Sequence, residues 1–503
     1  MSFLNRLIKL YSWKRFREIA FFKECPLLVQ QKVLRRLLTK AAKTEWGRDH
    51  AFLAIKSIED FQARVPISTY DDLEPYISRM MNGEKDILWP GQIKWFAKTA
   101  GTTSSRSKYI PVSKESLKGI YFKGDKDVAY IYLHLVPKSR ILSGRFIAVA
   151  GFLDEHWVNK GVEVGDLPAI LLRRLPLFVR WLIGAGVEEK LIKNWEERVE
   201  QIAHLAAKVN VTALAGAPAW TAFLLKKFLN IEGKKNILEL WPNFELFIHG
   251  GASFKPYRKI FAEILPQPPV NYLEIYNASE GIFAIQDKLD REDMLLMLDY
   301  DIFYEFLPLS ELGRSDVKPL TIDKVKKGIN YAMIITTSSG LWRYLIGDTV
   351  EFTSLFPHRI KITGRTRQFI NTFGEELIVE NAEAAVSAAA EETGGVLHEF
   401  TVAPKIFSNN QGAHEWLIEF EKKPQVNEKE FAKVLDEHLR AVNSDYDSKR
   451  YKDLLLQPPI VHFVPQGTFY KWLKSKGKIG GQNKVPRLSP DRQYLEEILQ
   501  FLG

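Results

Sequence analysis

Along the first ninety positions apolar residues recur at three- and four-residue intervals, most clearly over 29–38, and this spacing predicts helices. From Lys94 to about Phe352 the pattern changes, and short apolar runs alternate with longer helical stretches. The runs at 145–150, 211–215, 246–249, 270–275 and 331–336 each read as a strand. That alternation predicts a large α/β domain with mixed, largely parallel sheets. After 364–367 the texture shifts again. Helical periodicity covers 380–392 and 427–442, strand-like runs cover 398–402, 415–421 and 460–464, and a polar, basic, Gly-rich tail follows. The second part reads as a small, mobile α+β domain. The expected division is 1–364, with a helical basic segment at 1–44, and 365–503. No internal repeat or low-complexity tract interrupts it.

Composition narrows the class. The 503 residues are 46% hydrophobic and 26% charged, ordinary values for a globular protein. The single cysteine, Cys25, excludes an intrachain disulfide and fits a reducing, cytoplasmic setting. Arg6 and Lys9 break the apolar start, so no leader peptide is expected. Arg173, Arg174 and Arg180 interrupt the most apolar stretch, 167–187, which reads as a buried or amphipathic helix and not a transmembrane segment.

The formal net charge is +9, and 1–44 alone holds eleven Lys/Arg against Glu18 and Glu24. The rest is nearly neutral, so no nucleic-acid partner is expected. Two readings compete for the basic segment. One is a helical cap packing Phe3, Leu4, Leu7, Leu10 and Tyr11 inward with its lysines solvated. The other is an amphipathic pair making weak peripheral contact with an anionic membrane, or with RNA.

Four short segments carry candidate chemistry. Thr99-Ala100-Gly101-Thr102-Thr103-Ser104-Ser105-Arg106-Ser107-Lys108 is small, hydroxyl-rich and ends in bases, a composition suited to phosphate oxygens. It lacks the Gly-Lys-Ser/Thr of a Walker A loop. Tyr276-Asn277-Ala278-Ser279-Glu280-Gly281 follows a strand, so Tyr276 can stack on a purine and Glu280 can hold magnesium beside phosphates. Gly347-Asp348 reads either as a hairpin turn or as an aspartate accepting from ribose hydroxyls. Gly480-Gly481-Gln482-Asn483-Lys484 gives a lysine freedom to enter a site, or is a solvated tail. Taken singly, each has a bland alternative as a turn or loop.

In this order and at these separations, the segments resemble the plant auxin-responsive acyl acid–amido synthetases (the Gretchen Hagen family) and their bacterial relatives. That family belongs to the adenylate-forming superfamily. Tyr304-Glu305-Phe306-Leu307-Pro308, 335–344 and Lys484-Val485-Pro486-Arg487 share in the likeness, which spans nearly the whole chain. The resemblance implies a ligase that adenylates a carboxylic acid with ATP and Mg2+, then passes the acyl group to an amine, with an amino acid the expected acceptor. It implies nucleotide-binding roles for Thr99, Gly101, Thr102, Thr103, Ser104, Lys108, Gly251, Tyr276, Asn277, Ser279, Asp348 and Arg365. Glu280 would serve the metal and catalysis, Lys484 would assist adenylation, Trp220 would line the acyl pocket, and Arg365 would mark a hinge. One departure stands out: Ser104-Ser105 fills the stretch where the family commonly carries a second glycine. His249 reads as a buried histidine of the core. An acyl-CoA ligase, and a nucleotide-binding regulatory protein without catalysis, are the alternatives.

Overall fold

A computed structural model gives the architecture; it describes residues 3–502 apart from 100–107, 149–155, 160, 176–202, 251–253, 255–257, 267–269, 313, 315–316, 367–368, 371, 376, 409–410, 454, 477–486 and 490. Two helices open the chain, α1 (Phe3–Glu24) and α2 (Pro26–Ala41). Pro26 sits in the first turn of α2, where its missing N–H is harmless. Val29, Val33, Leu34, Leu37 and Leu38 form the inner stripe of α2. Gln30 is buried in that stripe and satisfies three backbone groups: its amide nitrogen donates to Leu298 O and Ile302 O, and its oxygen accepts from Tyr304 N. A buried amide is tolerated there because its hydrogen bonds are made.

One residue of the expected inward face of the first helix is corrected. Tyr11 is 77% exposed. The inward positions are Ser12, Arg15, Ile19 and Phe22, spaced three and four apart on a different stripe. Arg15 is buried because two carboxylates from distant segments meet it: its guanidinium donates to Asp127 and Asp299 at 2.9 Å each. Burial opposes that charge, but the two carboxylates raise the Arg15 pKa above its ordinary value. The side chains of Phe3, Leu4, Leu7 and Leu10 lie outside the described residues.

The first sheet joins β1 (Trp95–Thr99), β2 (Lys108–Val112), β4 (His156–Asn159) and β5 (Val162–Gly165) in the order β2-β1-β5-β4. The principal sheet has ten strands. β3 (Arg145–Ala148), β6 (Val211–Gly216), β7 (Leu246–Gly250) and β8 (Asn271–Ala278) run parallel. Helices Pro218–Glu232 and Arg258–Ile264 supply crossovers that parallel pairing requires. From β8 onward the direction alternates through β9 (Gly281–Ile285), β10 (Met294–Leu296), β14 (His358–Arg365), β13 (Tyr344–Leu355), β12 (Asn330–Thr337) and β11 (Ile302–Pro308). The sheet is therefore mixed. Parallel pairing holds where the sequence alternates strand with helix, and antiparallel pairing takes over where strands follow one another through short turns.

Beyond β14 come the short pair β15 (Phe369–Ile370) and β16 (Leu377–Ile378), then a three-stranded sheet. That sheet is β17 (Val396–Ile406), β18 (Gly412–Lys422) and β19 (Ile460–Val464), flanked by helices Val379–Glu392 and Glu428–Val442. Among the described residues the buried apolar clusters are built either from residues up to Ile360 or from Ile370 onward; none mixes the two sets.

Candidate active site

The site forms where the parallel and antiparallel halves of the large sheet meet. Tyr276 lies near the end of β8, Asn277 follows it, and Ser279 and Glu280 form the turn into β9. Gly250, at the end of the neighbouring β7, lies so close that a Cβ there would meet Ile275 O at 2.4 Å and Asn277 Oδ1 at 2.9 Å. Only glycine allows that approach.

The β8–β9 turn is held from behind. Residues Leu117–Tyr121 form a π-helical turn, a rare geometry frequent at functional sites. It delivers the Tyr121 hydroxyl to Ser279 O, to which it donates at 2.7 Å. Burial, and secondarily the charge of Glu280, push the Tyr121 hydroxyl well above the usual phenol range, so it remains a donor. Sequence reasoning missed Tyr121, because nothing in Leu-Lys-Gly-Ile-Tyr distinguishes a π turn from an α turn. Glu280 is buried.

Asp348 does not sit in a hairpin turn. It lies within β13, in a bulge where Ile346, Gly347 and Asp348 stand opposite the single residue Met333. Gly347 adopts φ +93°, and its carbonyl accepts from Thr366 N at 2.7 Å. Bulges of this kind redirect a side chain. Here the Asp348 carboxylate is brought to Tyr276, whose hydroxyl donates to Oδ2 at 2.7 Å. Arg365 is the register partner of Asp348 on β14.

Beneath β13, Arg343 takes φ +42° and donates through Nε and Nη2 to both oxygens of Glu305, each at 2.9 Å. Its Nη1 donates to Gln62 O and Val65 O. This fully buried, bidentate pair fixes the start of β13.

Other expected residues fall elsewhere. Thr99 and Lys108 are register partners at the mouth of the β1–β2 hairpin, so the hydroxyl-rich segment spans 100–107 between them. The Lys108 ammonium is buried and lies 5.6 Å from the Tyr70 ring centroid. His249 is buried and stacks on Phe254 at 4.3 Å, a core role. Gly101, Thr102, Thr103, Ser104, Gly251 and Lys484 lie outside the described residues, as do the side chains of Thr99, Trp220 and Arg365.

Among the described residues no three His, Cys, Asp or Glu side chains converge on a metal position. A lone carboxylate such as Glu280 fits a magnesium ion that arrives on nucleotide phosphates and keeps its waters.

The two-part fold with its mixed α/β sheet is shared with solved acyl-activating ligases. An acyl acid amido synthetase solved with 2,4-DB superposes with TM-score 0.60 at 18% identity, covering 94% of this chain and 93% of that one. A 2-hydroxyisobutyryl-CoA ligase solved with 2-HIB-AMP and CoA gives TM-score 0.57 at 14% identity, covering 95% and 92%. The GH3 family N-terminal domain matches residues 15–179 and 162–270, the central domain 295–365 and the C-terminal domain 380–493. The chain belongs to the GH3 family. An indole-3-acetic acid-amido synthetase of Arabidopsis thaliana is 22% identical, covering 91% of this chain and 89% of its own length. A 4-substituted benzoates-glutamate ligase of the same plant is 24% identical, covering 93% and 94%.

Proposed function

We propose that the protein is an ATP-dependent acyl acid–amido synthetase, which adenylates a carboxylic acid and transfers the acyl group to an amino acid. The observation that carries this reading is the Tyr276–Asp348 hydrogen bond beside the buried Glu280 turn. The Tyr276 hydroxyl orients Asp348 to accept from the ribose, while its ring, 3% exposed and packed 4.8 Å from Phe283, must be uncovered to stack on adenine. Glu280 would hold the magnesium that comes with the triphosphate, and the segment 99–108 would receive the phosphates.

A carboxylate attacking the α-phosphate brings two anions together, so the site must neutralise charge as it develops. Lys484, from the C-terminal tail, supplies that charge during adenylation. The mixed anhydride then carries AMP as leaving group, and an unprotonated amine displaces it without a dedicated nucleophilic residue. Asp348 and Arg365 share a rung at the end of the first unit, so the segment after β14 serves as the hinge between half-reactions. Trp220 opens the helix after β6 and lines the acyl pocket. The lone Cys25 supports a reducing, cytoplasmic setting for the reaction.

The test is carboxylate-dependent release of pyrophosphate from ATP and magnesium, screened over aryl and aliphatic acids, with Glu280→Ala alongside. Release that requires an acid and is lost in the variant supports adenylation. The charged mixtures are then offered amino acids and coenzyme A. Thioester in place of amide makes the protein an acyl-CoA ligase. ATP binding without release for any acid makes it a regulatory nucleotide-binding protein.

A further inference from the structure

The outer faces of α1 and α2 carry features the proposed reaction does not use. With Ser12, Arg15, Ile19 and Phe22 turned inward, Trp13, Arg17 and Phe21 line up four residues apart on the far side of α1. Trp13 is 62% exposed and Phe21 42%. The Arg17 guanidinium lies 4.9 Å from the Trp13 ring centroid, and Lys32 Nζ lies 5.3 Å from that of Phe21. The second contact carries the stripe onto α2, where Leu28, Lys32 and Arg35 share one face, Leu28 being 43% exposed.

Leu28 is also one wall of a cleft of about 460 Å³. Ile322, Val325 and Leu355 line it too, with Phe356 at the tip of the β13–β14 hairpin. Phe356 is 79% exposed. Single exposed apolar residues are ordinary, but a connected run of Trp, Phe and Leu around an apolar cleft marks an interaction surface.

Charge says what kind. Several bases of the helices are already matched: Arg15 to Asp127 and Asp299, Lys23 to Asp287, Arg36 to Asp301 and Lys40 to Glu115. Lys14, Arg17, Lys32 and Arg35 are exposed and form no ion pair among the described residues. The same holds for Lys324, Lys326 and Lys327, on the loop that walls the cleft opposite α2. Of the acids on this side, Glu18 is tied to Arg15, and Asp323 accepts from the Thr321 hydroxyl. Glu24, at the rim of the cleft, is outnumbered.

We propose that this face docks the protein on an anionic phospholipid bilayer. Its aromatic side chains lie at headgroup depth, and its bases lie against lipid phosphates. Basic residues beside Trp, Phe and Leu on a helix lying flat are the mark of interfacial binding. Each base near such a surface strengthens the attachment, and salt weakens it. RNA would use the bases but leave the Leu28–Phe356 cleft without an apolar occupant. No helix among the described residues is long and apolar enough to cross a membrane, so attachment is peripheral.

The experiment is flotation of the full chain with vesicles of phosphatidylcholine alone or mixed with phosphatidylglycerol. Wild type, Trp13→Ala/Phe21→Ala, Arg17→Glu/Lys32→Glu and Phe356→Ser are compared after matching their circular dichroism and melting temperatures. We expect binding to the anionic vesicles only, weakened by salt, and reduced roughly tenfold or more by each double substitution. No flotation at low salt, equal binding to neutral vesicles, or full retention after charge reversal overturns the proposal. Lipid-independent self-association that Phe21→Ala/Leu28→Ala abolishes would give the face to a second copy instead. Preferential binding of RNA over anionic vesicles would give it to nucleic acid.

Discussion

The Tyr276 hydroxyl reaches the Asp348 carboxylate at 2.7 Å although three strands separate β8 from β13 in hydrogen-bonding order. A flat sheet would hold those strands roughly 19 Å apart, four spacings of about 4.8 Å, beyond the reach of a tyrosine and an aspartate. The sheet must curl there, and the Gly347 bulge completes the approach. The residues proposed for adenine and ribose are thereby joined by one hydrogen bond.

Asp348→Ala removes both the tyrosine's acceptor and the proposed ribose contact. The KM for ATP in acid-dependent pyrophosphate exchange is expected to rise about tenfold to a hundredfold, the worth of a hydrogen bond to a charged group. Tyr276→Phe keeps the ring and should cost less, about threefold to tenfold. An unchanged KM in Asp348→Ala would remove this residue from the nucleotide site.

Tyr121→Phe deletes the donor to Ser279 O and leaves that carbonyl without the bond that steadies the Glu280 turn. The expected stability loss, from urea denaturation, is about 1 kcal/mol. A several-fold fall in kcat should accompany it with little change in the KM for ATP. A KM effect alone would mean that the turn does not position Glu280.

The Arg343–Glu305 pair is buried, so removing one partner strands the other. Arg343→Met should destabilise by about 3–5 kcal/mol, read as a shift in the urea midpoint. Arg343→Met combined with Glu305→Met should recover a large part of that loss, because no charge remains buried. If the double substitution were as damaging as the single one, the hydrogen bonds to Gln62 O and Val65 O would carry the contribution instead.

Acid should destabilise the protein in two windows. Burial holds the His358 pKa down to about 4 against a weaker upward pull from the Ile322 backbone, so the unfolded chain takes up its proton first. Its contribution is present at neutral pH and lost as pH falls from about 6.5 to 4. Burial pushes Glu415 up, but hydrogen bonds from Lys405, His462 and Arg492 outweigh it and hold this carboxylate down at about 2. That contribution is present above about pH 4.5 and lost as pH falls toward 2. His358→Gln should flatten only the upper window of a stability–pH curve, and Glu415→Gln only the lower.

The strands were legible because each is a short apolar run bounded by turns, and β6, β7, β12 and β19 follow those runs closely. The direction of β9–β14 was not, since an apolar run looks the same whichever way its neighbour runs. Arg15 illustrates a second limit. Its burial depends on Asp127 and Asp299, over a hundred positions away, so local periodicity put the inner face on Tyr11. Tyr276 and Asp348 were picked out separately, yet their contact depends on a bulge that Gly347-Asp348 shares with ordinary turn sequences.

The separation of apolar clusters at 360–370 has a thermodynamic meaning. Cooperativity in unfolding arises from shared packing, and among the described residues no buried cluster is shared. The heat-capacity trace of the chain should therefore contain two endotherms, and a packing defect such as Trp416→Ala should displace one and leave the other in place. A single melting temperature would average two independent quantities. Nucleotide held by Tyr276 and Asp348 would raise the endotherm of their own unit first, and the second only so far as Lys484 engages it.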